Sequence, residues 1–332
     1  MPRQRELGRG ERVLPGLWRL RLPLPWPGIP HCNAWALAAG PGVVLVDTGA
    51  HGPGSMSDLE LALRQVRLRL EDVRLVAITH AHADHYGQAA PIVERAGCEL
   101  WMHPNHEHAI RPLEDPELAL ERRIEVARQS GVSGPALALY AERAKELPSG
   151  VAGWHEPDRA LIAGVEIETD LGRLIAHETP GHAPSHVCLF QPERRLLISG
   201  DHLLGRVSLY FDYGWSPDPV GEFLRSLDVV QALDARLCVA GHARPFADIE
   251  VHIEANRRLA RERLRAVIAA LERGPRTAVE IVPEVYGEPL TAVNGSWWLS
   301  ETLCYLRHLE VEGRVSCERD EAGPDRWRWL SS

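Results

Sequence analysis

Lysine is almost absent from this chain of 332 residues, because Lys145 is its only example and arginine supplies nearly all of the 37 basic side chains. The basic residues are outnumbered by 46 acidic ones, which gives a formal net charge of −9. A protein of negative charge repels phosphate groups at long range. The composition therefore disfavours nucleic acids and anionic membranes as general partners.

Cysteine pairs and long apolar runs are also missing. The six cysteines show no Cys-x-x-Cys spacing, and no apolar stretch approaches the length that crosses a membrane. The start of the chain lacks the apolar core of a signal peptide. We therefore expect a cytoplasmic protein without a membrane segment, in which these thiols stay reduced: Cys32, Cys98, Cys188, Cys238, Cys304 and Cys317.

The most informative stretch follows the apolar run Val73 to Thr79, whose branched residues predict a buried strand. The next six residues contain His80, His82, Asp84 and His85. Open α/β sheets bind ligands at the carboxyl ends of strands. Imidazole nitrogens and carboxylate oxygens together suit zinc, iron or manganese. The alternative is a solvated histidine-rich loop, in which these side chains would repel one another without a cation to share.

The rest of the chain alternates between strand and helix patterns, and its length predicts a large domain and a smaller one. Turn residues at 163–164 and 192–193 predict hairpins between the strands that flank them. Residues 105–153 have no strand pattern and predict a helical insertion. The strands are predicted at 13–22, 33–39, 43–47, 73–79, 99–102, 160–162, 165–169, 173–178, 186–191, 194–199, 237–240, 314–317 and 325–330, and the helices at 55–70, 86–96, 219–233, 248–271, 277–286 and 295–312.

The histidine cluster also carries a resemblance. His80-Ala-His-Ala-Asp-His85 matches the His-x-His-x-Asp-His signature of the metallo-β-lactamase superfamily, and four further motifs follow that family's order. The segment Thr179 to His186 resembles the third motif in the form seen in glyoxalase II. The other motifs are Val43–Gly49, Ile198–Asp201 and Val239–His242. The resemblance covers residues 12–255 and implies a four-layer αββα sandwich.

The resemblance also implies a ligand set and a domain plan. It implies a catalytic domain over residues 1–255 and a winged-helix-like domain over 256–332, and the helical pattern of 105–153 predicts a lid or an oligomer contact. The resemblance implies two divalent metal ions, zinc with manganese or iron as alternatives, and catalytic roles for Asp84 and Asp201. The implied ligands are His80, His82 and His182 for one ion, Asp84, His85 and His242 for the other, and Asp201 as the bridge.

Three reaction classes remain open at this stage. The leading one is hydrolysis of a thioester, ester or lactone of a small molecule by a hydroxide held between the metals. The second is a phosphodiesterase or endoribonuclease, and the third is an iron-dependent enzyme that resembles persulfide dioxygenases. The C-terminal segment from residue 254 has 12 arginines against 13 acidic residues, so we expect it to pack, dimerise or line the substrate cleft instead of binding DNA.

Several residues near the motifs are candidates for supporting roles. An aspartate that ends a strand beside the cluster can orient a ligand through hydrogen bonds. Three further histidines, at 103, 106 and 108, are interpreted as surface or pocket-rim residues, and Ser185 as a turn former. The candidates for orienting ligands or lining the pocket are Asp47, Tyr86, His186, His202, Trp26 and His31, although Tyr86 and Trp26 also suit simple packing roles.

Overall fold

Two β-sheets lie face to face with helices on their outer sides in the computed structural model of this chain, which describes residues 7–26, 28–146, 149–291, 294–320 and 323–330. One apolar cluster lies between the sheets, and two others fill the space between each sheet and its helices. The described residues therefore form the predicted αββα sandwich. A helical insertion and a small C-terminal region of helices and a two-stranded sheet accompany it.

The first sheet contains the first seven strands in sequence order. The first four strands are antiparallel neighbours, and the next three run parallel to the fourth. Residues that follow parallel strands emerge at one edge of a sheet, which places Asp47 beside His80. The strands are β1 (Arg9–Leu14), β2 (Leu17–Pro23), β3 (His31–Ala39), β4 (Gly42–Val46), β5 (Val73–Ala77), β6 (Glu99–Met102) and β7 (Arg159–Ala160).

The second sheet has the order β12-β11-β10-β9-β8. Its strands are β8 (Glu166–Ile167), β9 (Leu174–Glu178), β10 (Val187–Gln191), β11 (Leu196–Gly200) and β12 (Leu237–Ala240). β11 and β12 are parallel, and β9 runs in the same direction because both β9 and β11 pair antiparallel with β10. His182, Asp201 and His242 follow these three strands and therefore emerge at one edge.

The helices cover the outer faces and form the insertion and the C-terminal region. They are α1 (Ser55–Gln65), α2 (Ala83–Tyr86), α3 (Ala89–Ala96), α4 (Glu107–Glu114), α5 (Pro116–Gln129), α6 (Gly134–Glu146), α7 (Pro219–Ala232), α8 (Ile249–Leu271), α9 (Ala278–Tyr286) and α10 (Gly295–Val311), with β13 (Val315–Glu318) and β14 (Arg326–Trp329) as the last hairpin. No described helix combines the length and the apolar content that crossing a bilayer requires. All six cysteines are free.

Two predictions near the start of the chain were wrong in detail. The single strand predicted over residues 13–22 is a hairpin of β1 and β2, because Pro15 and Gly16 form a turn in which Gly16 has a φ of 82°. The helix predicted to reach Leu70 ends at Gln65, since Arg67 has a left-handed φ of 64°. Leu70 belongs to a separate 3₁₀ turn.

The helix predicted over residues 86–96 is also divided. α2 begins inside the histidine cluster, at Ala83, and α3 begins at Ala89. The carbonyl of His85 is occupied by the backbone N–H of Thr48 at 2.7 Å and by the hydroxyl of Thr48 at 2.7 Å. A continuous helix would need that carbonyl for its own next turn. Asp84 and His85 are consequently held on a short helix, not on a free loop.

The turn predicted at residues 163–164 does not form a hairpin. β7 belongs to the first sheet and β8 to the second, so the chain crosses between the sheets at this point. The hairpin predicted at residues 192–193 is confirmed, because β10 and β11 pair on either side of it.

The insertion is helical, as predicted, and it packs against the C-terminal region. The carbonyl of Ser130 accepts the N–H of Val279 at 3.0 Å, and the carbonyl of Gln129 accepts the N–H of Asp325 at 2.7 Å. The side chain of Val126 packs on the cluster that also holds α8, α9 and α10. The described part of the insertion therefore connects the sandwich to the C-terminal region. A winged-helix character of that region and a lid or oligomer role of the insertion stay predictions.

Candidate metal centre

The side chains predicted as ligands converge at the carboxyl edges of the two sheets. Each of three groups among them has one nitrogen or oxygen per residue within 4.8 Å of the others, so each group could hold a cation. Asp201 belongs to the group that contains His80 and His85, and it lies between the other two groups. The groups are His80, His82 and His182; His80, His85 and Asp201; and Asp84, His85 and His242.

The nitrogen and oxygen atoms at the centre lie close to one another. Nδ1 of His82 lies 3.1 Å from Nε2 of His182. Nε2 of His242 lies 3.1 Å from Oδ2 of Asp84 and 3.2 Å from Oδ2 of Asp201. Nε2 of His85 lies 3.5 Å from Oδ1 of Asp201. Two sets of lone pairs therefore point at two neighbouring positions, with Asp201 common to both.

These residues fit metal ions by a second, independent observation. Nε2 of His80, Nε2 of His85 and Oδ1 of Asp201 are buried and have no hydrogen-bond partner among the described residues. A buried polar atom without a partner costs free energy, so native proteins rarely leave one. Cations at the two positions would satisfy all three atoms. The set of nitrogen and carboxylate donors suits zinc, manganese or iron.

Burial keeps two of the proposed ligand histidines neutral, which is the form that binds metals. Burial holds the pKa of His80 well below its usual range and lowers the pKa of His182 to about 4, so both rings are neutral at pH 7. Burial also lowers the pKa of His242, but Asp201 and Asp84 outweigh it and raise that pKa to about 10. A cation at this position therefore has to displace a proton from His242.

Asp47 supports the cluster from below, as the sequence predicts. Its Oδ2 accepts the Nδ1–H of His85 at 2.9 Å, which leaves Nε2 of that ring for a cation. Its Oδ1 accepts the N–H of Thr79 at 2.8 Å. Asp47 adopts a left-handed φ of 64° at the end of β4, which is uncommon for a residue other than glycine. This conformation directs the carboxylate under the ligand loop.

His186 and Gly241 shape the same site. His186 accepts the backbone N–H of Asp201 at 3.1 Å through Nε2, and its Nδ1 lies 2.8 Å from the hydroxyl of Thr179. A Cβ at Gly241 would lie 2.2 Å from Oδ1 of Asp201 and 2.6 Å from Cε1 of His85. No side chain fits there unless a ligand residue moves.

The remaining candidates lie around the site in different roles. The hydroxyl of Tyr86 accepts the N–H of His155 at 2.8 Å, and Trp26 packs on the outer cluster of the first sheet, so the contacts of both favour packing. His202 is buried, and the centroid of its ring lies 5.0 Å from that of Phe223.

His31 accepts Nδ1–H of His242 through its backbone carbonyl at 3.0 Å. Its ring lies 3.2 Å from the guanidinium of Arg19 and 3.4 Å from that of Arg21. Burial and these two guanidinium groups lower the pKa of His31 to about 4. His31 and Arg21 line a cavity of about 210 Å³ that Arg9 also borders.

Sequence reasoning missed a second group of residues behind His82. Asp212 lies 2.8 Å from Nε2 of His82 and 3.3 Å from Nδ1 of His108. The prediction that His108 is a surface or rim residue was wrong, because its side chain is buried and its Nε2 contacts Ser185 at 2.9 Å. His103 is buried as well, beside Glu178. No local pattern marks Asp212, which lies 130 residues from His82 in the sequence.

An αββα sandwich with such a histidine and aspartate site defines a class of metal-dependent hydrolases, and comparisons with known proteins identify the family. Residues 27–242 match the family model of the metallo-beta-lactamase superfamily, and residues 264–330 match that of the metallo-beta-lactamase-like C-terminal domain. The chain is 26% identical to "Probable metallo-hydrolase YqjP" of Bacillus subtilis over 84% of this chain and 88% of that protein.

Solved structures agree. A metallo-beta-lactamase family protein of Thermus thermophilus superposes with a TM-score of 0.82 and 30% identity over 96% of this chain and 100% of that one. A beta-lactamase domain protein of Burkholderia ambifaria has the same fold, with a TM-score of 0.80 and 24% identity over 97% and 93% of the two chains. This chain belongs to the metallo-β-lactamase superfamily, and it is a metal-dependent hydrolase of that superfamily.

Proposed function

We propose that this enzyme uses two divalent metal ions, zinc in the first place, to hydrolyse a thioester, ester or lactone of a small molecule. The observation that carries the proposal is the pair of converging donor sets with Asp201 between them. The ligands would be His80, His82 and His182 on one side, Asp84, His85 and His242 on the other, and Asp201 in common. When bound, the ions would supply water activation near neutral pH and polarisation of the acyl oxygen.

The residues of the chain then have defined tasks. Burial raises the pKa of Asp84, but His85 and His242 outweigh it and hold that pKa below its usual range. The Asp84 carboxylate is therefore ionised and can accept a proton from the attacking water. A thiol has a pKa of about 8.5, so its thiolate is a good leaving group and needs little help from a general acid. A thioester therefore suits this site, because most of its titratable groups would be metal ligands and could not protonate a leaving group.

The surroundings of His82 favour an acyl group of partly apolar character. Trp215 is 37% exposed, and its ring lies 6.2 Å from the ring of His108. The guanidinium of Arg111 lies 5.7 Å from the same indole. Both Arg111 and His108 belong to α4, so Trp215 lies against the part of the insertion that approaches His82. An exposed indole beside a reactive centre is suited to apolar contact with a substrate.

On the other side of the centre, the cavity beside His31 favours an anionic group on the substrate. Arg9 and Arg21 are opposite each other on β1 and β2, and neither has a carboxylate partner among the described residues. Two like charges at such a cross-strand position repel each other unless an anion lies between them.

The test is elemental analysis of the purified full chain, combined with assays of a neutral thioester, a carboxylate-bearing thioester, a lactone and bis(p-nitrophenyl) phosphate. We expect about two zinc or manganese ions per chain and turnover of acyl substrates, faster for the anionic thioester. The same metals with turnover of the phosphodiester alone would replace the proposal with the phosphodiesterase alternative. A single iron with no hydrolysis would indicate a redox enzyme.

A further inference from the structure

The segment between β11 and α7 contributes a carboxylate that no ligand motif contains. Asp212 is largely buried, and its Oδ2 lies 2.8 Å from Nε2 of His82 and 3.3 Å from Nδ1 of His108. One carboxylate therefore joins an imidazole of the metal centre to an imidazole of the helical insertion.

The contacts allow a single consistent assignment of hydrogens. Nδ1 of His82 faces the other donors of its group, so a cation there requires the hydrogen of that ring to be on Nε2, where Asp212 accepts it. Nδ1–H of His108 donates to the same carboxylate, and its Nε2 accepts the hydroxyl of Ser185 at 2.9 Å. The Ser185 oxygen in turn accepts the N–H of Ala81 at 3.0 Å. Ala81 lies between two ligands, so the contacts form a closed ring.

The backbone beside Asp212 fixes a second ligand. The carbonyl of Tyr210 accepts the Nδ1–H of His182 at 3.1 Å, which leaves Nε2 of that ring for a cation. The next carbonyl, of Phe211, accepts the hydroxyl of Ser300 at 2.9 Å, and Phe211 packs against Tyr305 with their centroids 5.9 Å apart. Ser300 and Tyr305 belong to α10. The C-terminal region therefore holds the segment that orients two rings of one donor set.

We propose that Asp212 is a positioning residue that fixes His82 as an Nδ1 ligand, and that His108 and α10 hold Asp212 in place for this task. The helical insertion and the C-terminal region are then structural parts of the metal centre. The inference rests on the proposed ligand role of His82. It accounts for the packing of both the helical insertion and the C-terminal region against residues 210–213.

The experiment is a Co(II) titration of the metal-free full chain, followed by visible absorption and by competition with a chelator. Asp212→Ala should weaken Co(II) binding at one of the two positions by about 10- to 100-fold and change the d–d spectrum. Asp212→Asn, which preserves the shape, should give a smaller change of the same kind and guards against misfolding. His108→Ala should shift the spectrum in the same direction, and the double variant should be less than additive, because both changes act on one ring of contacts.

A matched control exists within the chain. Asp218 accepts Nδ1–H of His308 at 2.8 Å in the same kind of carboxylate–histidine pair, but it caps α7 away from the donor sets. Asp218→Asn should lower the thermal stability and leave the Co(II) spectrum unchanged.

Each remaining outcome decides between the proposals. Unchanged Co(II) affinity and spectrum in Asp212→Ala would overturn the positioning role while the proposed function stands. Loss of one whole ion from Asp212→Ala and His108→Ala, with the spectrum of the other ions intact, would make these residues ligands of a separate ion and would also overturn it. Absence of Co(II) binding by the unsubstituted chain would overturn the proposed function and this inference together.

Discussion

Asn33 donates hydrogen bonds to the backbone of the turn that carries His242. Its side-chain amide donates to the carbonyl of Ala240 at 2.8 Å and to that of Ala243 at 3.0 Å, and its backbone N–H donates to the carbonyl of Gly241 at 2.7 Å. Asn33 belongs to β3 of the first sheet, whereas the turn follows β12 of the second. One residue thus fixes the last proposed ligand across the interface between the two sheets.

Asn33→Asp should remove the two side-chain donations and place a carboxylate against two carbonyl oxygens. We expect the unfolding free energy to fall by about 1–3 kcal/mol, because each carbonyl loses one donor and faces a carboxylate, although Trp35 still donates to Ala240 and Arg19 to Ala243. Metal affinity should fall as well, since His242 is no longer held. Denaturant unfolding and chelator competition measure the two effects. Asn256→Asp is the control, since the buried Asn256 also donates to a carbonyl, that of His252 at 2.8 Å, within α8; equal loss of metal in both variants would refute the local role of Asn33.

Gly241→Ala should disrupt the metal centre without changing any ligand. The added Cβ would overlap Oδ1 of Asp201, and overpacking of this kind costs about 1–3 kcal/mol. We expect loss of at least one metal ion, measured by elemental analysis. Gly134→Ala, at a glycine whose Cβ would meet open space, should bind metal normally. Full metal content in Gly241→Ala would contradict this prediction, because it would mean that a Cβ fits beside Asp201 without displacing it.

Removing a ligand from the first donor set together with the shared carboxylate tests the dinuclear site directly. His82→Ala combined with Asp201→Ala should abolish both metal binding and hydrolysis, because each ion loses at least one ligand and the bridge is gone. Metal analysis and thioester turnover provide the measurements. Retention of both properties in the double variant would rule out this ligand set.

Metal binding should become stronger with rising pH. In the metal-free chain His242 has a pKa of about 10, raised above its usual range by Asp201 and Asp84 despite burial, so it carries a proton at pH 7. A cation has to displace that proton, which by itself makes the affinity rise by about tenfold per pH unit until about pH 10, and the raised pKa of His85 adds to this dependence. The ion pairs of protonated His242 also stabilise the metal-free fold below about pH 6.5, and this contribution should be lost as pH approaches 10. Calorimetry in buffers of different ionisation enthalpy should detect proton release, and its absence at neutral pH would contradict the prediction.

A buried ion pair holds the C-terminal region together. Glu301 on α10 is 2% exposed, contacts the guanidinium of Arg263 on α8, and accepts the hydroxyl of Tyr305 at 2.5 Å. Arg263→Met leaves this carboxylate without its charged partner and should cost about 3–5 kcal/mol in unfolding free energy. Arg263→Met with Glu301→Leu should recover much of the loss. Equal stability of the single variant and the unsubstituted chain in denaturant titrations would contradict a structural role for the pair.

The sequence alone was sufficient to predict the convergence of the proposed ligands, the sandwich and most of the helices and strands. His80, His82, Asp84 and His85 are close in the chain, and the strand before them imposes a common edge, so local spacing already contains the geometry. The sequence also predicted the supporting role of Asp47, because an aspartate that ends a neighbouring parallel strand must lie beside that edge.

Only the tertiary structure revealed the contacts that orient the ligands from outside the motifs. Asp212, His108 and Asn33 reach the centre from three separate elements, and hydrogen bonds between residues 130 or 207 positions apart leave no periodic pattern in the chain. The same limit explains the crossing at residues 163–164, because a turn signal marks a change of direction but does not specify the sheet that the next strand joins. Local patterns reflect the conformation of neighbouring residues, whereas pairing between distant elements depends on how complete sheets and helices pack.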